Sequence, residues 1–283
     1  MTEMTAQPHA HGAPFAMGPA LLFCPADRPE RFAKAAERSD AVILDLEDAV
    51  APDAKAEARR NLAETPLDPE RTIVRVNSAG SVHFDADLEA LEATPYRTVM
   101  LAKAEAPEQL ALLRAYRVIA LCETAAGILA APSIAAEPNT LGLMWGAEDL
   151  VASLGGTSSR AADGAYRAVA LHARSTVLLA AGAHGKAAID AVYTAIPDLD
   201  GLSAETEDAV ASGFAAKACI HPSQVAAVRA AYAPSPEAVE AAQALLAAAE
   251  DAGTGVFQYE GKMIDGPILR HAEAVLRRAG LGG

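Results

Sequence analysis

The sequence predicts a single (β/α)₈ barrel with a small C-terminal helical extension. Three observations carry that expectation. Eight short apolar runs alternate with longer alanine-rich stretches. Each run is apolar without clean alternation, as a strand covered on both faces by helices must be. The chain is 52% hydrophobic but only 5% aromatic, which suits small helices packed closely on a sheet better than an aromatic-rich β-sandwich.

Taken in order, residues 1–18 hold His9, His11, Gly12 and Pro14 with neither a basic segment nor a long apolar one. They read as a frayed tail, not a signal peptide. The eight runs are 20–24, 41–46, 72–77, 98–102, 118–122, 141–145, 188–193 and 218–221. An open doubly wound nucleotide-binding sheet would want GxGxxG after its first strand, and the sequence lacks it. Between the strands, Asp27 is expected to cap a helix with Pro29 in its first turn and Phe32, Ala35 and Ala36 on its buried face. Pro52-Asp53 is expected to start a helix through Lys55 and Arg59. Ser235-Pro236-Glu237 opens a long alanine-rich helix that the Gly253–Gly255 region stops. The barrel is thus expected over 19–233 and the extension over 234–283, with no strong buried strand in the latter.

A net charge of −14 excludes a nucleic-acid surface, which needs a basic patch. It leaves room for an anionic small ligand held by a few local cations. No run approaches about 18 apolar residues, so no membrane span is expected. Cys24, Cys122 and Cys219 each lie in or beside an apolar run without a CxxC pair, and read as reduced, buried thiols of a cytoplasmic protein.

Charges gather where the runs end. Asp45, Glu47 and Asp48 end or follow the second; Arg75 and Asn77 end the third; Lys103 and Glu105 follow the fourth. Glu123 follows the fifth, Glu148 and Asp149 the sixth, and His221 ends the eighth. In a barrel all these C-terminal strand ends meet at one mouth, where active sites lie. Any one of the charges could be a solvated loop residue or a cap, but so many at one end need a ligand or each other. Glu123 and Asp149, from neighbouring strands, suit a hard divalent cation such as Mg²⁺. An arginine beside them suits a carboxylate or a developing enolate. Together they make a kit for polarising a carbonyl and stabilising negative charge.

At these same residues the sequence resembles the citrate lyase beta-subunit-like branch of the HpcH/HpaI aldolase family. The matching segments are LFCPADRPERFAKA (22–35), VILDLEDAV (42–50), VRVN (74–77), CETAAG (122–127), WGAEDL (145–150), CIHPSQ (219–224) and MIDGP (263–267). The resemblance implies a barrel that assembles into homotrimers or hexamers and cleaves or forms a β-hydroxyacyl thioester. It implies Glu123 and Asp149 as magnesium ligands, Arg75 as the group that contacts the substrate carbonyl, Asp45 as its orienter and Glu47 in the same acidic network. Phe23, Arg28 and Lys34 match positions that hold the CoA moiety. Asp265 matches an acid that the C-terminal segment offers to a neighbouring subunit's site, although it also stands where a helix cap would. Lys34 is equally readable as a solvated helix face, His221 as a structural strand-end residue, and Trp145 as core or pocket wall. Lys103 is placed at the mouth, with no motif for a Schiff base. A thioesterase, a CoA-independent 2-oxoacid aldolase and a carrier-dependent citrate lyase subunit share the metal and arginine. Phe23, Arg28 and Lys34 favour a thioester over the CoA-independent aldolase, and the loops expected to select the acyl group, 78–85 and 154–163, are not placed by the sequence.

Overall fold

The computed structural model describes residues 15–253 and 255–281. Eight parallel strands close on themselves in sequence order: β1 (Ala20–Pro25), β2 (Ala41–Asp45), β3 (Thr72–Val76), β4 (Thr98–Leu101), β5 (Arg117–Cys122), β6 (Thr140–Trp145), β7 (Ala187–Asp190) and β8 (Ala216–Cys219). The eight expected runs are these eight strands, displaced at their ends by up to three residues. The seventh stops at Asp190 rather than residue 193, and His221 lies beyond β8. Around them run α1 (Phe32–Arg38), α2 (Lys55–Glu64), α3 (Phe84–Glu92), α4 (Pro107–Ala111), α5 (Ala125–Ala135), α6 (Ala147–Ser153), α7 (Ala168–Ala183), α8 (Leu199–Ser212) and α9 (Val225–Tyr232).

Side chains alternate across each strand, and this period sets the barrel's two layers. Leu21, Ile43, Ile73, Met100, Ile119, Leu121, Met144 and Ile189 fill the interior with Ala216 and Ala218. Val42, Leu44, Val74, Val99, Val118 and Ala120 alternate with them and are equally buried. Residues 1–14 of the expected tail lie outside the described residues. Of the remainder, Met17 is buried and Phe15 packs against the same interior cluster. All three cysteines are buried.

Two helix starts differ from expectation. Asp27 caps nothing; a 3-10 turn over Pro29–Arg31, with Arg28 at its cap position, precedes α1 instead. Proline at the first position favours that tight turn. Ala36 is only half-buried. Residues 52–54 form a turn, and α2 begins at Lys55.

By its contacts the chain divides into residues 1–228 and 229–283. The second unit holds α10 (Pro236–Ala252), β9 (Phe257–Tyr259), β10 (Lys262–Ile264) and α11 (Gly266–Arg278). As expected, Ser235 caps α10, its hydroxyl accepting from the Ala238 N–H at 3.1 Å, and Gly253 ends the helix at φ 62°. The β9–β10 hairpin was not expected from the sequence. Its two turn residues, Glu260 and Gly261, both have positive φ, the pattern of a type I′ turn.

A buried ion network ties β6, β7 and β8 to the helices behind them. Asp190 and Lys217 are opposite one another in the β7–β8 register. Lys217 Nζ donates to Asp190 at 2.8 Å, Glu205 at 3.0 Å and the Ala191 carbonyl at 2.8 Å. Asp190 also accepts from Arg174 Nε at 2.9 Å and from the Trp145 indole at 2.8 Å. Burial alone would raise the Asp190 carboxyl; Lys217 and Arg174 outweigh it and hold the acid below its ordinary range. Lys217 is wholly buried, so removing its ammonium strands acid in the interior. Lys217→Met is expected to destabilise the protein by about 3 kcal/mol or more, measured by chemical denaturation. A change below about 1 kcal/mol would show that the network contributes little.

Candidate functional site

The interior columns of the barrel end in charge. Two residues past Ile43, Ile73 and Leu121, in the same inward phase, come Asp45, Arg75 and Glu123. Asp45 and Arg75 are register partners at the ends of β2 and β3. Arg75 therefore meets Asp45 side-on: Nε donates to Oδ1 at 2.7 Å and NH2 to Oδ2 at 2.6 Å. This two-point geometry fixes the guanidinium plane. Asp45 also accepts the Glu47 N–H at 2.8 Å and the Ala49 N–H at 3.2 Å, pinning the β2 exit loop. Arg75 NH1 reaches Glu47 Oε2 at 3.0 Å, and its other face lies over the Phe23 ring at 4.9 Å. Burial opposes the charge on Arg75, but Asp45 and Glu47 overcome it and hold the group protonated above its ordinary value.

Beneath this pair lies a second buried set. Lys55 Nζ donates to the Leu46 and Glu47 carbonyls, at 2.7 and 2.9 Å, and to Asn77 Oδ1 at 3.0 Å. Asn77 in turn donates to Asp87 and to the Leu46 carbonyl, at 2.7 and 3.0 Å, while Arg59 pairs with Asp87 at 2.7 Å. These residues turn the backbone of 46–47 so that Glu47 points to the mouth.

Lys103 follows β4 in a left-handed backbone, φ 49°, where its own N–H donates to Glu123 Oε1 at 3.1 Å. Its ammonium donates to Glu47. Burial pulls the Lys103 charge down; Glu47 and Glu123 outweigh that and keep it protonated above the usual lysine range. Glu47, by contrast, is raised, because its burial exceeds the help from Arg75 and Lys103.

Glu123 ends the β5 column and is almost fully buried. Burial first, and then the neighbouring Asp149 carboxylate, push it up to about 8. Gly146 makes this position possible: a Cβ there would stand 2.9 Å from both Glu123 Cβ and Glu123 Oε2. Asp149 sits in the first turn of α6. Phe23, Asp45, Arg75, Glu123, Trp145 and Asp149 line one open cavity of about 370 Å³, with Leu121, Met144, Val192 and Ile220 among its apolar walls. Its wall residue Glu148 accepts from Ser159 Oγ at 2.6 Å, which brings the 154–163 loop beside the cavity.

The structure thus brings Phe23, Asp45, Glu47, Arg75, Glu123 and Asp149 together. Arg28 and Lys34 are exposed on the segment leaving β1 and line no part of the cavity. Asp265 belongs to the second unit; it occupies the N-cap position of α11, yet its carboxylate makes no capping bond. His221 is structural, its ring accepting from the Ser223 N–H at 3.2 Å to cap a 3-10 turn. Sequence reasoning missed Lys55 and Asp87, whose only signal was an ionisable residue on the apolar face of a helix.

The raised Glu123 acid makes stability depend on pH. A carboxyl raised on folding stabilises the protein fully below its unfolded pKa, and that contribution is lost as pH rises through about 8. In chelator-treated protein, the melting temperature of wild type relative to Glu123→Gln is expected to fall as pH rises from about 4.5 to about 8 and to level off above that. A difference that stays constant across that window would contradict the burial and charge assignment.

Comparison with known proteins agrees with this geometry. The profile of the HpcH/HpaI aldolase/citrate lyase family matches residues 20–222. A citrate lyase subunit beta-like protein of Mycobacterium tuberculosis is 58% identical over 265 residues, covering 94% of this chain and 97% of that one. The mitochondrial citramalyl-CoA lyase of Rattus norvegicus is 33% identical over 293 residues, covering 92% of this chain and 85% of that protein. The crystal structure of CitE from Mycobacterium tuberculosis, in complex with magnesium, acetoacetate and coenzyme A, superposes with a TM-score of 0.88 at 58% identity. It spans 93% of this chain and 98% of the other. This chain belongs to the HpcH/HpaI aldolase/citrate lyase family.

Proposed function

We propose that the protein is a magnesium-dependent carbon–carbon lyase. Its substrate class is a short 3-hydroxyacyl-CoA with a carboxylate beside the hydroxyl carbon, such as malyl-, citramalyl- or citryl-CoA. The products are acetyl-CoA and a 2-oxoacid, and the same site runs the reverse condensation. The observation that carries this reading is one cavity holding a permanently charged, rigidly oriented Arg75 together with the Glu123–Asp149 pair.

The donor set fits magnesium. Among the described residues no three His, Cys, Asp or Glu side chains converge as a complete metal cage. Two hard carboxylates that repel one another, with room beside them for water and substrate oxygens, are what magnesium takes. Glu123 and Asp149 would hold it, and when bound it supplies positive charge against the substrate's hydroxyl and carboxylate oxygens. Asp45 and Glu47 keep Arg75 oriented, so its remaining N–H groups can receive the oxyanion of the acetyl-CoA enolate without reorganising. Phe23 packs against the guanidinium and walls the acyl end. Arg28 and Lys34 would meet the CoA phosphates outside the cavity. Asp265 of a neighbouring subunit, in a cytoplasmic homotrimer or hexamer, is the candidate that returns the proton to the enolate carbon.

Arg75→Ala is expected to lower kcat by about 10² or more with the fold intact, because charge stabilisation in a buried site is a large term. Near-wild-type turnover would remove Arg75 from the mechanism. The reaction itself is tested by mass spectrometry of purified protein with magnesium and malyl-, citramalyl- and citryl-CoA. Acetyl-CoA plus a 2-oxoacid, abolished by chelator, is the expected result. Free CoA with the intact hydroxyacid would mean a thioesterase on the same scaffold. No turnover of any thioester would point to a carrier-bound substrate or a CoA-independent aldolase.

A further inference from the structure

Lys103 has a place at the mouth that the lyase reading leaves without a role. Its Nζ contacts Glu47 and stands 3.4 Å from Asp48, 3.7 Å from Asp149 and 3.9 Å from Glu123. Four carboxylates from two strand ends and one helix turn therefore share one ammonium. The backbone is set for this. Lys103 and Glu260 are the only non-glycine residues with positive φ among the described residues, and Glu260 sits in a hairpin turn that asks for it. Lys103 lies in the turn that leaves β4, not in a hairpin. A long side chain held in the left-handed region is strained, and surrounding contacts must impose it. Here they do: the same backbone twist that turns the N–H onto Glu123 sends the ammonium between Glu123, Asp149 and Glu47.

We infer that Lys103 is a built-in counter-cation for the carboxylate pair, occupying the cation position in the metal-free protein and giving way when the divalent ion enters. The inference rests on the reading of Glu123 and Asp149 as the metal ligands. Glu47 and Asp48, which the ammonium already approaches more closely than it does Glu123 or Asp149, supply the contacts that hold it once the metal enters. Metal entry is then an exchange of one cation for another. The acidic mouth is never left without a positive charge, and the metal must compete with a tethered rival. Lys103 is a positioning residue in this scheme, acting on the metal through its ligands.

Competition of this kind has a signature opposite to ordinary damage. Loss of a structural residue weakens metal binding; loss of a competing cation strengthens it. Manganese is the probe, its free ion followed by electron paramagnetic resonance, with melting temperatures of chelated and manganese-saturated protein alongside. Lys103→Met keeps the side-chain length without the charge, Lys103→Asn suits the left-handed backbone, and Lys103→Arg keeps the charge. The Met and Asn variants are expected to bind Mn²⁺ about tenfold tighter or more, the scale of one unit charge removed beside the ligands. Their chelated forms should melt lower than wild type, and manganese should raise them by more than it raises wild type. Lys103→Arg should stay near wild-type affinity. The inference is overturned if both neutral variants bind Mn²⁺ no tighter than wild type, or if Lys103→Arg binds as tightly as they do. Failure of the wild type itself to bind Mn²⁺ is a separate result, which removes the ligand pair and the inference with it.

Discussion

Everything at the mouth depends on the two-point pairing of Asp45 with Arg75. The register of β2 against β3 puts the two side by side, and the inward phase of both strands turns them into the barrel. A guanidinium there without a carboxylate would be a buried, uncompensated charge, and a carboxylate without the guanidinium would be the same. Once paired, Asp45 still has capacity to accept two backbone N–H groups, and this fixes the loop that carries Glu47 and Asp48. The orientation of Arg75 therefore comes from strand register. Its rigidity comes from a neighbour that is itself tied to the backbone.

Charge balance explains why such a site needs something from outside. Around the mouth, Arg75 and Lys103 face Asp45, Glu47, Asp48, Glu123 and Asp149: two cations against five carboxylates. Glu123 is accordingly raised, first by its burial and then by the Asp149 carboxylate beside it. A divalent cation removes that strain and makes the cavity hospitable to an anionic substrate. In the proposed reading, that ion and Arg75 together reconcile the site's acidity with a negatively charged acyl group.

Much of this was legible in the sequence because the barrel imposes so few choices. Apolar runs of four to six residues, most of them ending in or closely followed by a charged or titratable group, already placed Asp45, Arg75, Glu123 and Asp149 at one mouth, whatever the strand boundaries. Pairings were not legible. Asp190 interrupts an apolar run and Lys217 directly precedes one, a signal that something must neutralise them, but only the β7–β8 register shows that they neutralise each other. Lys103 could be assigned to the mouth but not to Glu47 or Glu123, since its reach depends on a left-handed backbone that no lysine announces. The β9–β10 hairpin was hidden by its length, three residues a side, although its Glu260-Gly261 turn was a usable cue.

The apolar part of the cavity carries a different freedom. Each charged residue of the floor is bound to at least one other, so changing one disturbs several; even Gly146 has no room for a methyl group. Val192, Ile220, Met144 and Leu121 are joined to the floor by packing alone. A lineage exploring new acyl chains on this scaffold would find its permitted steps there, enlarging or narrowing the hollow by single methylenes while the chemistry stays the same. Diversity of substrate and constancy of reaction are thereby written on separate residues of one cavity.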